Sequence, residues 1–153
     1  MNIIEGDHSI PEARFAVIAA RFNDFVVKHL VAAANDVLMD HGVAGSDIDL
    51  IRVPGAFELP QAADRAAASG RYAAVIALGC VIRGATPHFD FVADAAASGL
   101  SRAAHVSGIP VVFGVLTTDD VDQAMERAGG KGGNKGADVA LAAIEMVNLW
   151  KRL

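Results

Sequence analysis

The chain alternates short, densely apolar runs with longer segments in which apolar residues recur at helical spacing. In residues 13–20, Phe15, Val17 and Ile18 stand close together with no helical period, which predicts a strand. Val27, Leu30, Val31, Ala34 and Leu38 then fall at helical spacing. They predict a helix capped by Asn23 and stopped at His41-Gly42. Residues 48–53 predict a second strand, ended by Pro54-Gly55, and an alanine-rich helix over 58–69 stops at Gly70. Residues 72–80 are almost continuously apolar, as in a strand buried on both faces. A glycine-containing loop leads to Thr86-Pro87, where Thr86 is expected to cap, and Pro87 to open, a helix reaching about His105. Residues 111–116 predict a fourth strand. Thr118 is expected to cap a short helix ending at Ala128-Gly129, and the turn GGKGGNKG leads to a last helix over 135–151.

Strand and helix thus alternate, with one extra helix at the end. That order predicts an α/β fold, a three-layer αβα sandwich whose four-stranded parallel sheet carries helices on both faces. The whole chain, 1–153, reads as a single domain. Residues 1–12 fit no element and read as an N-terminal tail, or as a strand added to a neighbouring subunit through the partly apolar Asn2, Ile3 and Ile4, with Pro11 able to direct the tail elsewhere. Ligands of parallel sheets sit at the carboxyl ends of the strands, near the point where strand order reverses. The loops to examine are therefore 21–24, 54–58, 79–88 and 117–120.

Composition narrows the classes. With 53% hydrophobic and 20% charged residues, disorder is excluded. A net charge of −5 argues against nucleic acid as a partner. No apolar run approaches the length of a membrane span, and the start MNIIEGDHSIPEAR lacks a basic-then-apolar signal, so a soluble, cytoplasmic protein without a membrane partner is expected. One cysteine makes neither an internal disulfide nor a cysteine-rich metal site. The chain has 30 Ala and 15 Gly but only 6% aromatics, so its core gains little area per residue at roughly 25 cal/mol per Å². Alanine-faced helices that also pack on other subunits would offset this, which points to an oligomer.

The loop GCVIRGATPH holds the richest chemistry. Free N–H groups and the dipole at a helix start favour an anion, so a phosphate fits at residues 84–86; the same segment also reads as a plain strand-to-helix turn. No G-x-G-x-x-G or Walker pattern is present, which disfavours a dinucleotide or nucleoside triphosphate. His88, in the first turn of that helix, is placed to stay neutral and to accept and return a proton, or is simply a surface histidine. His8, His29, His41 and His105 show no metal-ligand spacing. Phe22, directly after the first strand, can stack on a flat ring or staple the next helix. Phe57 and Glu58 should point into the same crevice, with Glu58 able to bind hydroxyls. Arg127 offers a fork for a phosphate, or complements the end of its own helix.

These pieces occur in a recognisable order: Arg21-Phe22-Asn23, then VPGAFELP, GCVIRGATPHFD, PVVFGVLTTDD and ERAGGKGGNKGADVALAAIEM. Over residues 13–150 the chain resembles the 6,7-dimethyl-8-ribityllumazine synthase family of riboflavin biosynthesis, with its flavodoxin-like sheet. The resemblance implies condensation of 5-amino-6-ribitylaminouracil with 3,4-dihydroxy-2-butanone 4-phosphate, without metal or organic cofactor. It implies that Phe22, with Asn23 beside it, stacks on the pyrimidine. Ala56, Phe57 and Glu58 would hold the ribityl chain, and the backbone of Val81 and Ile82 would read the uracil edge. Ala85 and Thr86 would bind the phosphate, and His88 would shuttle protons. Phe113, Arg127 and Lys135 would come from a neighbouring subunit. Asp138 stands where several relatives carry Glu beside the histidine, so its shorter side chain reaches less far. The resemblance further implies pentamers, closed shells of twelve pentamers where no insertion lengthens the turn before the last helix, and riboflavin synthase as a partner. The residues by themselves leave two other readings open: a module on the same fold that binds a flavin or a phosphorylated ligand, and a shell protein without catalysis.

Overall fold

The computed structural model describes residues 1–9 and 12–153; Pro11, with its expected influence on the tail, lies outside the described residues. In chain order the elements are β1 (Phe15–Ala20), α1 (Asp24–Asp40), β2 (Ile48–Val53), α2 (Leu59–Ala68), β3 (Ala74–Ile82) and α3 (His88–Ser107). There follow β4 (Val111–Thr118), α4 (Val121–Glu126), β5 (Ala128–Gly130), β6 (Gly133–Asn134) and α5 (Lys135–Trp150). Short 3₁₀ turns at Gly45–Asp47 and Ala56–Glu58 lead into β2 and α2.

The main sheet has the order β2-β1-β3-β4 with every pairing parallel, Phe15 lying opposite both Ile48 and Ala74. Parallel strands need crossover connections, and these are right-handed in nearly all proteins. The step from β1 outward to β2 puts α1 on one face. The reverse steps to β3 and β4 put α2 and α3 on the other, and α5 returns beside α1. Phe15, Val17, Ile76 and Leu78 pack with α1 and α5, while Ala16, Ile18, Val75 and Ala77 pack with α2 and α3. Burial on both faces is why β1 and β3 carry no alternation of polar residues.

Several element ends differ from expectation for identifiable reasons. β1 begins at Phe15, β3 runs on to Ile82 and β4 to Thr118, because Val81 and Ile82 pair with Thr117 and Thr118. α2 starts at Leu59, after the 3₁₀ turn takes up Glu58. Asn23 precedes α1, but its side chain makes no capping bond. Thr86 does not cap α3, which starts at His88 with Pro87 as the flanking residue rather than the first helical one. Thr118 closes β4 and donates to the Asp120 carbonyl; the cap of α4 is Asp120, whose carboxylate accepts from the Gln123 N–H at 2.8 Å. Ala128 and Gly129 belong to a β5–β6 hairpin, not to a helix end and a plain turn. Asn134 then caps α5, accepting from the Gly136 N–H at 2.8 Å.

Residues 1–9 form neither helix nor strand. The tail lies along α5, where Asn148 donates to the Asp7 and Ser9 carbonyls at 2.8 and 3.1 Å and Arg152 pairs with Asp7. Ahead of this contact Met1, Ile3 and Ile4 are exposed. At the amino ends of the strands, Asp49 accepts from Tyr72 at 2.6 Å and pairs with Arg14 and Arg71. The tyrosine hydroxyl, ahead of the Arg14 guanidinium, holds the Asp49 carboxyl below its ordinary value.

Gly136 sets how closely α5 approaches α1. A Cβ there would stand 2.1 Å from the Leu30 carbonyl oxygen, so any side chain drives two helix backbones apart. Gly136→Ala should therefore destabilise the protein by about 1–3 kcal/mol. Gly45→Ala, where a Cβ meets nothing within 4 Å and φ is not positive, should not. Thermal denaturation of the two variants checks this, and equal melting temperatures would refute the close-approach argument.

Candidate active site

The site forms where β1 and β3 part. Their register ends at Ala19 and Leu78. The chain after β1 stays beside β2 for two more bonds, Arg21 N–H to the Val53 carbonyl at 2.8 Å and Phe22 N–H to the Pro54 carbonyl at 3.0 Å. It then turns through Asn23, whose φ of 60° makes it the one non-glycine residue with positive φ among the described residues. Asparagine is one of the few side chains that enters this region readily. In place of a cap, its Nδ2 donates to the Cys80 carbonyl at 2.9 Å, bridging β1 to β3 where their ladder has stopped. Beyond the bridge lies a cleft of about 460 Å³ at the carboxyl ends of the strands.

Of the expected site residues, Phe22, Asn23, Ala56, Phe57, Glu58, Val81, Ile82, Thr86 and His88 line this cleft. Phe22 is 72% exposed, which fits a stacking surface and not a staple, and Phe57 is 53% exposed. Gly55 separates Phe22 from Glu58: a Cβ there would sit 3.3 Å from Glu58 Oε2 and 3.9 Å from Phe22 Cβ. Aromatic face and carboxylate are thereby held side by side. After β3, residues 84–86 run exposed into α3, whose start carries no side-chain cap. The Asp90 N–H donates to the Pro87 carbonyl at 3.1 Å, no side chain takes the N–H groups before it, and such groups suit an anion, with His88 in the same turn.

Sequence reasoning missed Phe89 and Val92, which also line the cleft. They stand one and four residues after His88, so a helical wheel would have placed all three near one face. Cys80 lines it too, but its side chain belongs to the core beside α1 and α5, and burial pushes the thiol up to about 11.

Ala85, Phe113, Arg127 and Lys135 are not among the lining residues. Phe113 lies 41% exposed on the edge strand β4. Arg127 follows α4 and donates to the Gln123 carbonyl at 3.1 Å, and Lys135 begins α5, its Nζ 3.8 Å from Asp138. The cleft of a single chain is consequently lined by Glu58 and His88 but by no lysine or arginine. A broader groove of about 770 Å³ lies between α1, α4 and the β5–β6 hairpin; its charged lining is Asp36, Asp122, Glu126 and Lys131. No described helix is long and apolar enough to cross a membrane, and no three His, Cys, Asp or Glu side chains among the described residues gather as metal ligands.

Residues 12–151 match the family model for 6,7-dimethyl-8-ribityllumazine synthase. A protein of Desulfatibacillum aliphaticivorans named 6,7-dimethyl-8-ribityllumazine synthase is 55% identical over 148 residues, covering 97% of this chain and 96% of that one. The match takes in every element from β1 to α5 and every residue of the cleft. The chain belongs to the 6,7-dimethyl-8-ribityllumazine synthase family, transferases of riboflavin biosynthesis.

Proposed function

We propose that this chain condenses 5-amino-6-ribitylaminouracil with 3,4-dihydroxy-2-butanone 4-phosphate to give 6,7-dimethyl-8-ribityllumazine, phosphate and two waters. The observation that carries this reading is the set of unlike groups that one cleft gathers: an exposed aromatic and a carboxylate from the loops after β1 and β2, and an uncapped helix start with a histidine after β3. Phe22 stacks on the pyrimidine, and Ala56, Phe57 and Glu58 hold the ribityl hydroxyls. The backbone of Val81 and Ile82 reads the uracil edge, while Ala85 and Thr86 hold the phosphate. The 5-amino group attacks the ketone and water leaves to give an imine; phosphate is eliminated; the ribityl-bearing nitrogen closes the ring and a second water leaves. Each step moves protons, which His88 accepts and returns, and none requires a protein nucleophile. Much of the rate comes from holding two substrates together.

A phosphate dianion needs cations, and the single-chain cleft lacks them. Arg127, Lys135 and Phe113 of an adjacent subunit supply the missing side. We extend the proposal to cytoplasmic pentamers with shared sites. The β5–β6 hairpin that leads into α5, compact and without insertion, fits further closure into a shell of twelve pentamers. Riboflavin synthase, which would consume the lumazine, is the proposed partner.

Purified protein with both substrates should form a fluorescent lumazine and release phosphate, unaffected by EDTA. His88→Ala should lower kcat roughly 10–10³-fold with KM values little changed. A metal requirement, or binding of the lumazine without turnover, would overturn the reaction; unchanged kcat would remove His88 from it.

Shared sites predict complementation. His88→Ala and an Arg127→Ala variant impaired in phosphate binding should regain activity when co-assembled, because some interfaces then pair two intact halves. Rates in the mixture equal to the average of the separate variants would refute sharing, and light scattering of the untagged protein distinguishes pentamer from shell.

Asn23 should act on the pyrimidine through Phe22. Asn23→Gly keeps the left-handed backbone and loses only the bond to Cys80; Asn23→Ala loses both, at a further cost of about 1 kcal/mol or more. Both should raise KM for the pyrimidine, and only the alanine variant should lose appreciable thermal stability. Unchanged KM in both would reduce Asn23 to a turn residue.

A further inference from the structure

Arg83 stands between the last residue of β3 and the loop 84–86, yet it is not part of the cleft lining. Its N–H carries the β3–β4 ladder one step further by donating to the Thr118 carbonyl at 2.9 Å. Its guanidinium turns to three groups at once. Nε donates to Asp119 in the β4–α4 loop at 3.1 Å, and Nη1 lies 3.6 Å from Asp90. The guanidinium carbon sits 4.4 Å from the centroid of the Phe89 ring. Phe89 and Asp90 are the two residues after His88, and Phe89 lines the cleft.

We infer that Arg83 is a positioning residue for the phosphate half of the site: it ties the loop 84–86 and the first turn of α3 to the end of β4. One exposed ion pair holds little. A planar fork engaged by two carboxylates and an aromatic face from two different segments restricts far more than any single pair, and a lysine cannot reproduce it. Two carboxylates offset the guanidinium charge, so its role differs from that of a phosphate counter-ion. Two adjoining features make such a tie necessary. The loop is exposed and contains Gly84, and α3 starts with no side-chain cap to fix its first turn. Without the tie, the open N–H groups and His88 would not keep a fixed spacing, and displacement of about 1 Å at a reacting centre is enough to slow an enzyme strongly.

The inference rests on the proposed reaction for its kinetic test and is separated from it by a binding test. Steady-state rates with both substrates, and calorimetric titration with inorganic phosphate, are measured for the wild type and for Arg83→Gln, Arg83→Lys and Asp119→Asn. Positioning predicts that Arg83→Gln and Asp119→Asn each raise KM for the butanone phosphate about tenfold, with the pyrimidine KM within about twofold, and that Arg83→Lys does not rescue. The same variants should weaken inorganic phosphate binding. Asp119→Asn is the discriminating variant, and it keeps the test readable if Arg83→Gln fails to fold. It removes a negative charge near the anion, so long-range attraction alone predicts tighter phosphate, whereas loss of the tie predicts weaker. Tighter or unchanged phosphate in Asp119→Asn, or full activity in Arg83→Lys, would overturn the inference. A wild type that binds phosphate but makes no lumazine would overturn the reaction instead, with the variants' phosphate titrations still deciding the role of Arg83.

Discussion

β1 and β3 are hydrogen-bonded neighbours only as far as Ala19 and Leu78, and beyond that point the two chains leave for opposite layers of the molecule. The chain after β1 goes to α1, the chain after β3 to α3, and a gap between two central strands cannot be closed by either. Right-handed crossovers make this reversal unavoidable for the order β2-β1-β3-β4. The functional consequences follow from how the gap is lined. Asn23 reaches across it to the Cys80 carbonyl, Gly55 leaves room for Phe22 and Glu58 on one bank, and α3 presents its open first turn on the other.

The same geometry explains what was legible in the sequence. The buried strands were plain because both faces of β1 and β3 are covered, so apolar runs needed no partner to be recognised. Phe22, Phe57, Glu58 and His88 are legible as cleft-lining residues because each lies between a strand and the next helix or opens that helix, where sequence order alone places them at the carboxyl edge. Caps were read poorly for a common reason. Asn23, Thr86 and Thr118 all have capping side chains, but capping is a local preference and tertiary contacts outrank it: Asn23 bonds to β3, and Thr118 is held in the β4 ladder. The β5–β6 hairpin gave no signal, since a glycine-rich strand of two or three residues has no alternation to read. The ties made by Arg83 are equally invisible, because they join residues 83 and 119, which only the fold brings together.

Within the family, the proposed chemistry is constrained by which groups the cleft makes reactive. The titratable residues among its lining are Glu58, Cys80 and His88. Cys80 would be the natural nucleophile by residue type, but burial pushes its thiol up to about 11, so thiolate is scarce at neutral pH, and its side chain points into the core beside α1 and α5. Glu58 stands beside Gly55 and Phe22, among the groups proposed to hold the ribityl hydroxyls. That leaves an imidazole, the one side chain whose ordinary range lets it both take and give a proton near neutrality, next to N–H groups suited to an anion. Such a cleft is poorly equipped for covalent catalysis and well equipped for a sequence of proton transfers around a departing phosphate. The demand that the proposed reaction then makes on the protein is spatial: two substrates would have to lie against each other within reach of the histidine. The Asn23–Cys80 bond joins the two sides of that gap, and the bond from Arg83 to Asp119 joins the end of β3 to the end of β4.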